Sequence, residues 1–236
     1  MAGWDDYLSE RDKAHIAIWG KPGPDQLGTK PVLLVIDVYY SSVGHERKPL
    51  MESIQDWPMS CGLDGWAAID RMVPLIAAAR RHAVPVVYVR NLSSFPMDPL
   101  RVAQRGNRSS EATDRLAPEI RALGNEIVEE IAPQAGDMII EKAAPSAFSG
   151  TPLLQYLRMV GADSVVVCGE STSGCVRASV VDAQSNRYRV GVVSDCCYDR
   201  TQASHWINLF DMHQKYGEVM DADAAMAYFA DLPAAR

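Results

Sequence analysis

The chain has 236 residues, 47% hydrophobic and 22% charged, with a formal net charge of -7. That is the composition of one ordinary globular domain, and it excludes a disordered, collagenous or coiled-coil chain. The 23 Lys and Arg residues are scattered over an acidic background, so no nucleic-acid surface is expected. The apolar runs fall far short of the ~20 residues of a membrane span, so no membrane partner is expected either.

The first 29 residues are polar and broken by Gly20, Pro22, Gly23, Pro24 and Gly28. They read as an N-terminal arm, 1-29, with a short helix over roughly Asp5–Ile18. No basic stretch followed by an apolar one opens the chain, so no secretory signal is expected. Trp4, Tyr7 and Trp19 would give the arm an apolar surface for its own domain or a second subunit.

The domain, 30-236, opens with Lys30-Pro-Val-Leu-Leu-Val-Ile-Asp37. This unbroken apolar run suits a strand buried on both faces. Val84–Arg90, Asp137–Glu141, Ser164–Cys168 and Arg189–Ser194 have the same character. Between them, helical spacing predicts helices over Trp66–His82, Thr151–Val160, Cys175–Asn186 and Ser204–Gln214. Alternating strands and helices imply an α/β fold, three-layer α-β-α around a mainly parallel sheet. Two long segments, Tyr39–Gly65 and Leu92–Glu111, read as irregular covers over a site.

Ligands of open α/β sheets bind at the carboxyl ends of the strands. Those ends carry Asp37, Arg90, Glu141-Lys142, the segment Gly169–Cys175 and Asp195–Arg200. A carboxylate, an ammonium and a thiol thus converge on one rim. Cys175 is expected in the first turn of a helix, where free N–H groups and the dipole favour a thiolate and an oxyanion. Lys142 beside it would favour the thiolate further, and Asp37 would move its proton. Taken singly, Cys175 could be a small core residue, Asp37 a cap and Lys142 a solvated charge. Of the other cysteines, Cys168 belongs to a buried strand, while Cys61, Cys196 and Cys197 carry no assigned role. Five cysteines without regular spacing argue against a disulfide framework and for a reducing, cytoplasmic setting.

At these residues the sequence resembles the isochorismatase-like cysteine hydrolase superfamily, from about Lys30 to Phe229. Val-Leu-Leu-Val-Ile-Asp37 resembles the strand that delivers the family's Asp. Ile-Ile-Glu-Lys142-Ala-Ala-Pro-Ser-Ala-Phe resembles the K-x-x-x-S-A-F segment that delivers its Lys. Val-Val-Cys-Gly-Glu-Ser-Thr-Ser-Gly-Cys175-Val resembles the G-x-x-T-x-x-C-V segment of its nucleophile. Ser171–Asp182, Asp195–Arg200 and Asn208–Gly217 resemble in particular the subgroup of N-carbamoylsarcosine and maleamate amidohydrolases.

The resemblance implies a catalytic triad of Asp37, Lys142 and Cys175. It implies a cis peptide at Glu170–Ser171 and an oxyanion hole formed by the N–H groups of Ser171 and Cys175. Thr172 and Arg200 are implied to hold a substrate carboxylate; for Arg200 a structural salt bridge with Asp199 or Asp211 is the other reading. The implied reaction is hydrolysis of a small amide or N-carbamoyl compound with release of ammonia through a cysteine thioester. A larger or aromatic amide, or a non-catalytic thiol or binding protein on the same fold, are the alternatives. No cofactor is implied. No metal is expected, because the D-x-H-x-x-H ligands of related nicotinamidases are replaced by Asp37-Val-Tyr-Tyr-Ser-Ser-Val-Gly-His45. A homo-oligomer, tetramer or dimer, is implied.

Two rival motifs fail on their own terms. A serine elbow at Gly169-Glu-Ser171-Thr-Ser173, with Asp195 and His205 or His213, lacks the glycine needed at its fifth position. A dinucleotide site would need G-x-G-x-x-G after the first strand.

Overall fold

A computed structural model of the chain describes residues 3–21, 27–92 and 115–233. In chain order the main elements are α1 (Glu10–Trp19), β1 (Pro31–Ile36), α2 (Tyr40–Val43), α3 (Leu50–Asp56), α4 (Gly62–Arg81) and β2 (Val86–Asn91). Then come α5 (Pro118–Ala122), β3 (Met138–Lys142), α6 (Leu153–Met159) and β4 (Ser164–Glu170). The chain closes with α7 (Arg177–Ser185), β5 (Arg189–Tyr198), α8 (Gln202–Lys215), β6 (Glu218–Met220) and α9 (Ala222–Ala230).

The strands form one six-stranded sheet in the order β3-β2-β1-β4-β5-β6. Every pairing in it is parallel. This is the doubly wound α/β arrangement, with helices on both faces. Alternate residues of β1 show how it is built. Leu33 and Val35 pack against Trp66, Ile69 and Met72 of α4 and Phe229 of α9. Val32, Leu34 and Ile36 pack against Leu153 and Leu157 of α6, Val180 of α7 and Leu209 of α8. All six β1 residues are buried, which is why the run shows no polar alternation.

The structure differs from the sequence expectation at several boundaries. The strand expected to stop at Ser194 continues to Tyr198, where it pairs Cys197 and Tyr198 with Gly169 and Glu170 after a register shift. The segment Tyr39–Gly65 is not irregular throughout, since it forms α2 and α3 and buries Ser53 and Trp57. The Leu92–Glu111 segment, apart from Leu92, lies outside the described residues.

The arm helix begins later than expected. A short turn over Asp5–Tyr7 precedes Ser9, which caps α1 together with Asp12 in a capping box. Trp4 packs on its own domain beside Phe210 and His213, whereas α1 buries none of its residues. Among the described residues no helix is long and apolar enough to cross a membrane.

Candidate active site

β1 and β4 are neighbours whose chain connections run in opposite directions across the sheet, which makes the gap at their carboxyl ends the topological switch point. Asp37 directly follows β1, and Gly169 to Cys175 spans the end of β4 and the turn after it. Lys142 closes β3. β2 lies between Lys142 and Asp37, so the lysine side chain reaches across that strand's end.

Two backbone features bring β1 and β4 together. Asp37 sits in the left-handed region at φ 53°, which an Asp tolerates better than most residues. Gly169 has φ 120°, and a Cβ there would lie 2.0 Å from the Ile36 carbonyl oxygen. Only glycine permits this approach. The Glu170–Ser171 peptide is cis.

The structure brings Asp37, Lys142 and Cys175 into contact. Lys142 Nζ lies 2.6 Å from Asp37 Oδ2, with 1% and 3% of the two side chains exposed. The same ammonium donates to Cys175 Sγ and to Asn91 Oδ1, each at 3.4 Å. The Tyr39 hydroxyl donates to Asp37 Oδ1 at 2.9 Å and accepts the Asn91 N–H. Tyr39 and Asn91 therefore belong to the site, although no sequence motif had marked them. The sequence offered Tyr39 only as an aromatic residue of the Tyr39–Gly65 cover that could shape the pocket, and Asn91 lies one residue beyond the expected end of its strand.

Cys175 differs from expectation in two ways. It does not lie in the first turn of a regular helix. It sits in a single wide π-type turn, Thr172–Val176, just before α7, and Gly174 there departs from helical geometry at φ -112° and ψ -105°. Nor is the thiolate favoured in the resting site. Burial, and then the Asp37 charge, push the thiol up to about 12, against the smaller opposing pull of Lys142. Burial and Asp37 thus favour the neutral thiol at Cys175, whose sulfur faces Lys142 Nζ.

The turn itself is firmly tied. The N–H groups of Gly174 and Val176 donate to the Ser171 carbonyl at 2.9 and 3.2 Å. The Ser173 N–H donates to Asp199 Oδ2 at 2.7 Å. Thr172 is fully buried, and its hydroxyl lies 2.8 Å from His205 Nδ1 on α8. Arg200 pairs with neither Asp199 nor Asp211 through its guanidinium. Its Nη1 donates to Glu170 Oε1 at 2.6 Å, while Asp211 serves Arg177 and Lys215. Burial raises the Glu170 carboxyl to about 7 despite Arg200 beside it.

The serine triad does not assemble. His205 is engaged with Thr172, and Asp195 with Arg71 and the Ala222 N–H. Among the described residues, no group of three His, Cys, Asp or Glu is arranged to hold a metal ion. A cavity of about 490 Å³ opens at the opposite ends of the strands, between Lys30, His82, Pro85 and Leu232. None of Asp37, Lys142 and Cys175 lines it.

Residues 32–224 match the isochorismatase domain. The chain belongs to that family. It is 35% identical over 228 residues to maleamate amidohydrolase of Pseudomonas putida, covering 94% of this chain and 95% of that one. It is 29% identical over 238 residues to N-carbamoylsarcosine amidase of an Arthrobacter species, covering 96% and 82%. Among solved structures, the N-carbamoylsarcosine amidase of Thermoplasma acidophilum superposes with a TM-score of 0.62 at 30% identity, covering 82% of this chain and 97% of that one. This isochorismatase-family chain is thus similar over most of its length to enzymes named for hydrolysing C–N bonds.

Proposed function

We propose that the chain is a cysteine-dependent amidohydrolase, acting on a small amide or N-carbamoyl compound that carries a carboxylate. The observation that carries this reading is the buried contact set Asp37–Lys142–Cys175 at the switch point of the sheet.

In the proposed mechanism Asp37 takes the proton of the Cys175 thiol as sulfur attacks the substrate carbonyl carbon. Lys142 stabilises the developing thiolate. The N–H groups of Ser171 and Cys175 receive the oxyanion; other N–H groups of the turn, those of Ser173, Gly174 and Val176, are already bonded within the protein. Asp37 returns its proton to the nitrogen, the C–N bond breaks and ammonia leaves. Water, deprotonated by Asp37, then attacks the thioester carbon, and the acid or carbamate departs as sulfur recovers a proton.

Thr172 opens the turn that carries Cys175, Arg200 pairs with Glu170 just before it, and both are assigned to the substrate carboxylate. A guanidinium suits that group through two parallel hydrogen bonds. A homo-oligomer in the cytoplasm belongs to the same proposal, supported by the exposed Ile18 and Trp19 of α1 and by five unpaired cysteines.

The test is ammonia release from a panel of primary amides and carbamoyl compounds, with and without a carboxylate. Carboxylated members are expected to react with the wild type and not with Cys175→Ala. Turnover that persists in Cys175→Ala would overturn the mechanism, and a preference for neutral amides would overturn the substrate class.

A further inference from the structure

Tyr39 is 5% exposed, and its phenol oxygen is used on both sides. The Asn91 backbone N–H occupies one lone pair. The hydroxyl hydrogen is thereby directed to Asp37 Oδ1, at 2.9 Å. The other carboxylate oxygen faces Lys142 at 2.6 Å. Asn91 acts a second time through its side chain, whose Oδ1 accepts from Lys142 Nζ. One residue at the end of β2 therefore orders both partners of Asp37.

The backbone of Tyr39 is held independently of its hydroxyl. Its N–H donates to Ser42 Oγ at 3.3 Å, and its carbonyl accepts from that same hydroxyl at 2.8 Å. Burial and the Asp37 charge push the phenol far above its ordinary range, so it remains a neutral donor at any working pH. A neutral donor to a carboxylate favours the ionised form without adding a charge that the nucleophile would feel.

We propose that Tyr39, ordered by the Asn91 N–H, is a positioning residue that holds Asp37 Oδ1 and turns the remaining lone pairs of the carboxylate toward Cys175. This rests on the reading of Asp37 as the base. Lys142 from β3, Cys175 from the nucleophile turn, Glu170 from the end of β4 and Tyr198 from the end of β5 also act on Asp37. Of these, Glu170 titrates nearest the range of interest.

The test needs no knowledge of the substrate. Alkylation of Cys175 by iodoacetamide, followed by mass spectrometry, forms the S–C bond as iodide leaves and the proton passes to Asp37. In the wild type, with Asp37 as the base, the rate is expected to fall on the acid side. Tyr39→Phe is expected to move that limb to higher pH by about one unit, a loss of roughly tenfold at fixed pH below it. Repeating the pair in a Glu170→Gln background removes Glu170 from the profile.

Should Tyr39→Phe not fold, 3-fluorotyrosine at position 39 makes a stronger donor, and the limb is expected to move the other way. A limb left in place by either substitution overturns the proposal when Asp37→Asn abolishes the limb. A limb that survives in Asp37→Asn overturns instead the assignment of Asp37 as the base.

Discussion

Lys142 and Asp37 face each other at 2.6 Å with almost no solvent on either. A buried pair of this kind is far more costly to halve than to remove, because the survivor keeps its charge and loses its partner. Lys142→Met or Asp37→Leu alone is expected to cost about 3–5 kcal/mol of unfolding free energy. The double variant is expected to lose much less than the sum. Denaturant unfolding of the four proteins measures this, and additive losses would contradict the pairing.

Cys175→Ser and Cys175→Ala are expected to lower ammonia release by at least about a thousandfold, with unfolding midpoints close to the wild type because the side chain is small and half-buried. The thiol is pushed up to about 12, so it stays protonated at neutral pH. The ultraviolet difference between wild type and Cys175→Ala is expected to lack a thiolate band there. A clear band would mean that Lys142 outweighs burial and Asp37.

The fold was legible where burial writes a pattern into the chain. β1, β2, β4 and the first half of β5 are runs of β-branched and aliphatic residues because a central parallel strand is covered on both faces, whereas the edge strand β3 buries only Ile140 and Lys142. β6 escaped because it is only three residues, Glu218–Met220, half-buried throughout and paired only to Gly191–Val193. The extension of β5 through Asp195–Tyr198 was hidden by polar residues that bind elsewhere, such as Asp195 on Arg71.

The site was legible through its motif segments, and less so through its electrostatics. Cys175 beside Lys142 suggested a thiolate, but its burial and the nearness of Asp37 are properties of the assembled rim. Tyr39 and Asn91 enter the site by hydrogen bonds between strands, which leave no trace in spacing.

Gly169→Ala should fail badly. The added methyl would fall 2.0 Å from the Ile36 carbonyl, at a φ that side chains avoid. A loss of roughly 3 kcal/mol or more is expected, together with loss of activity as β4 withdraws from Asp37. An alanine variant with wild-type stability would contradict the close approach.

Glu170 gives a pH dependence with a definite sign. Its folded-state carboxyl titrates at about 7, above the ordinary carboxylate range, because it is buried. The folded protein therefore holds that proton more tightly than the unfolded chain. The resulting stabilisation is complete below the unfolded value and is lost as pH rises through about 7. Glu170→Gln is expected to flatten that part of the stability profile. An unchanged slope would show that Glu170 is ionised throughout.

The same proton bears on Arg200. When Glu170 is protonated its hold on the guanidinium weakens, so KM for a carboxylated amide is expected to be lower on the acid side of about 7. Arg200→Ala is expected to raise KM more than it lowers kcat. Steady-state kinetics across pH for the wild type and both variants would decide this, and an unchanged KM in Arg200→Ala would remove Arg200 as the anchor.

Lys142 and Asp37 belong to strands that do not touch, and β2 must be seated between them before the ammonium can meet the carboxylate. Cys175 arrives from a third strand, on the other side of β1. No fragment of the chain that lacks one of these elements can bring the three residues together. Contact among Asp37, Lys142 and Cys175 is then a report on whether β3, β2, β1 and β4 have paired in that order.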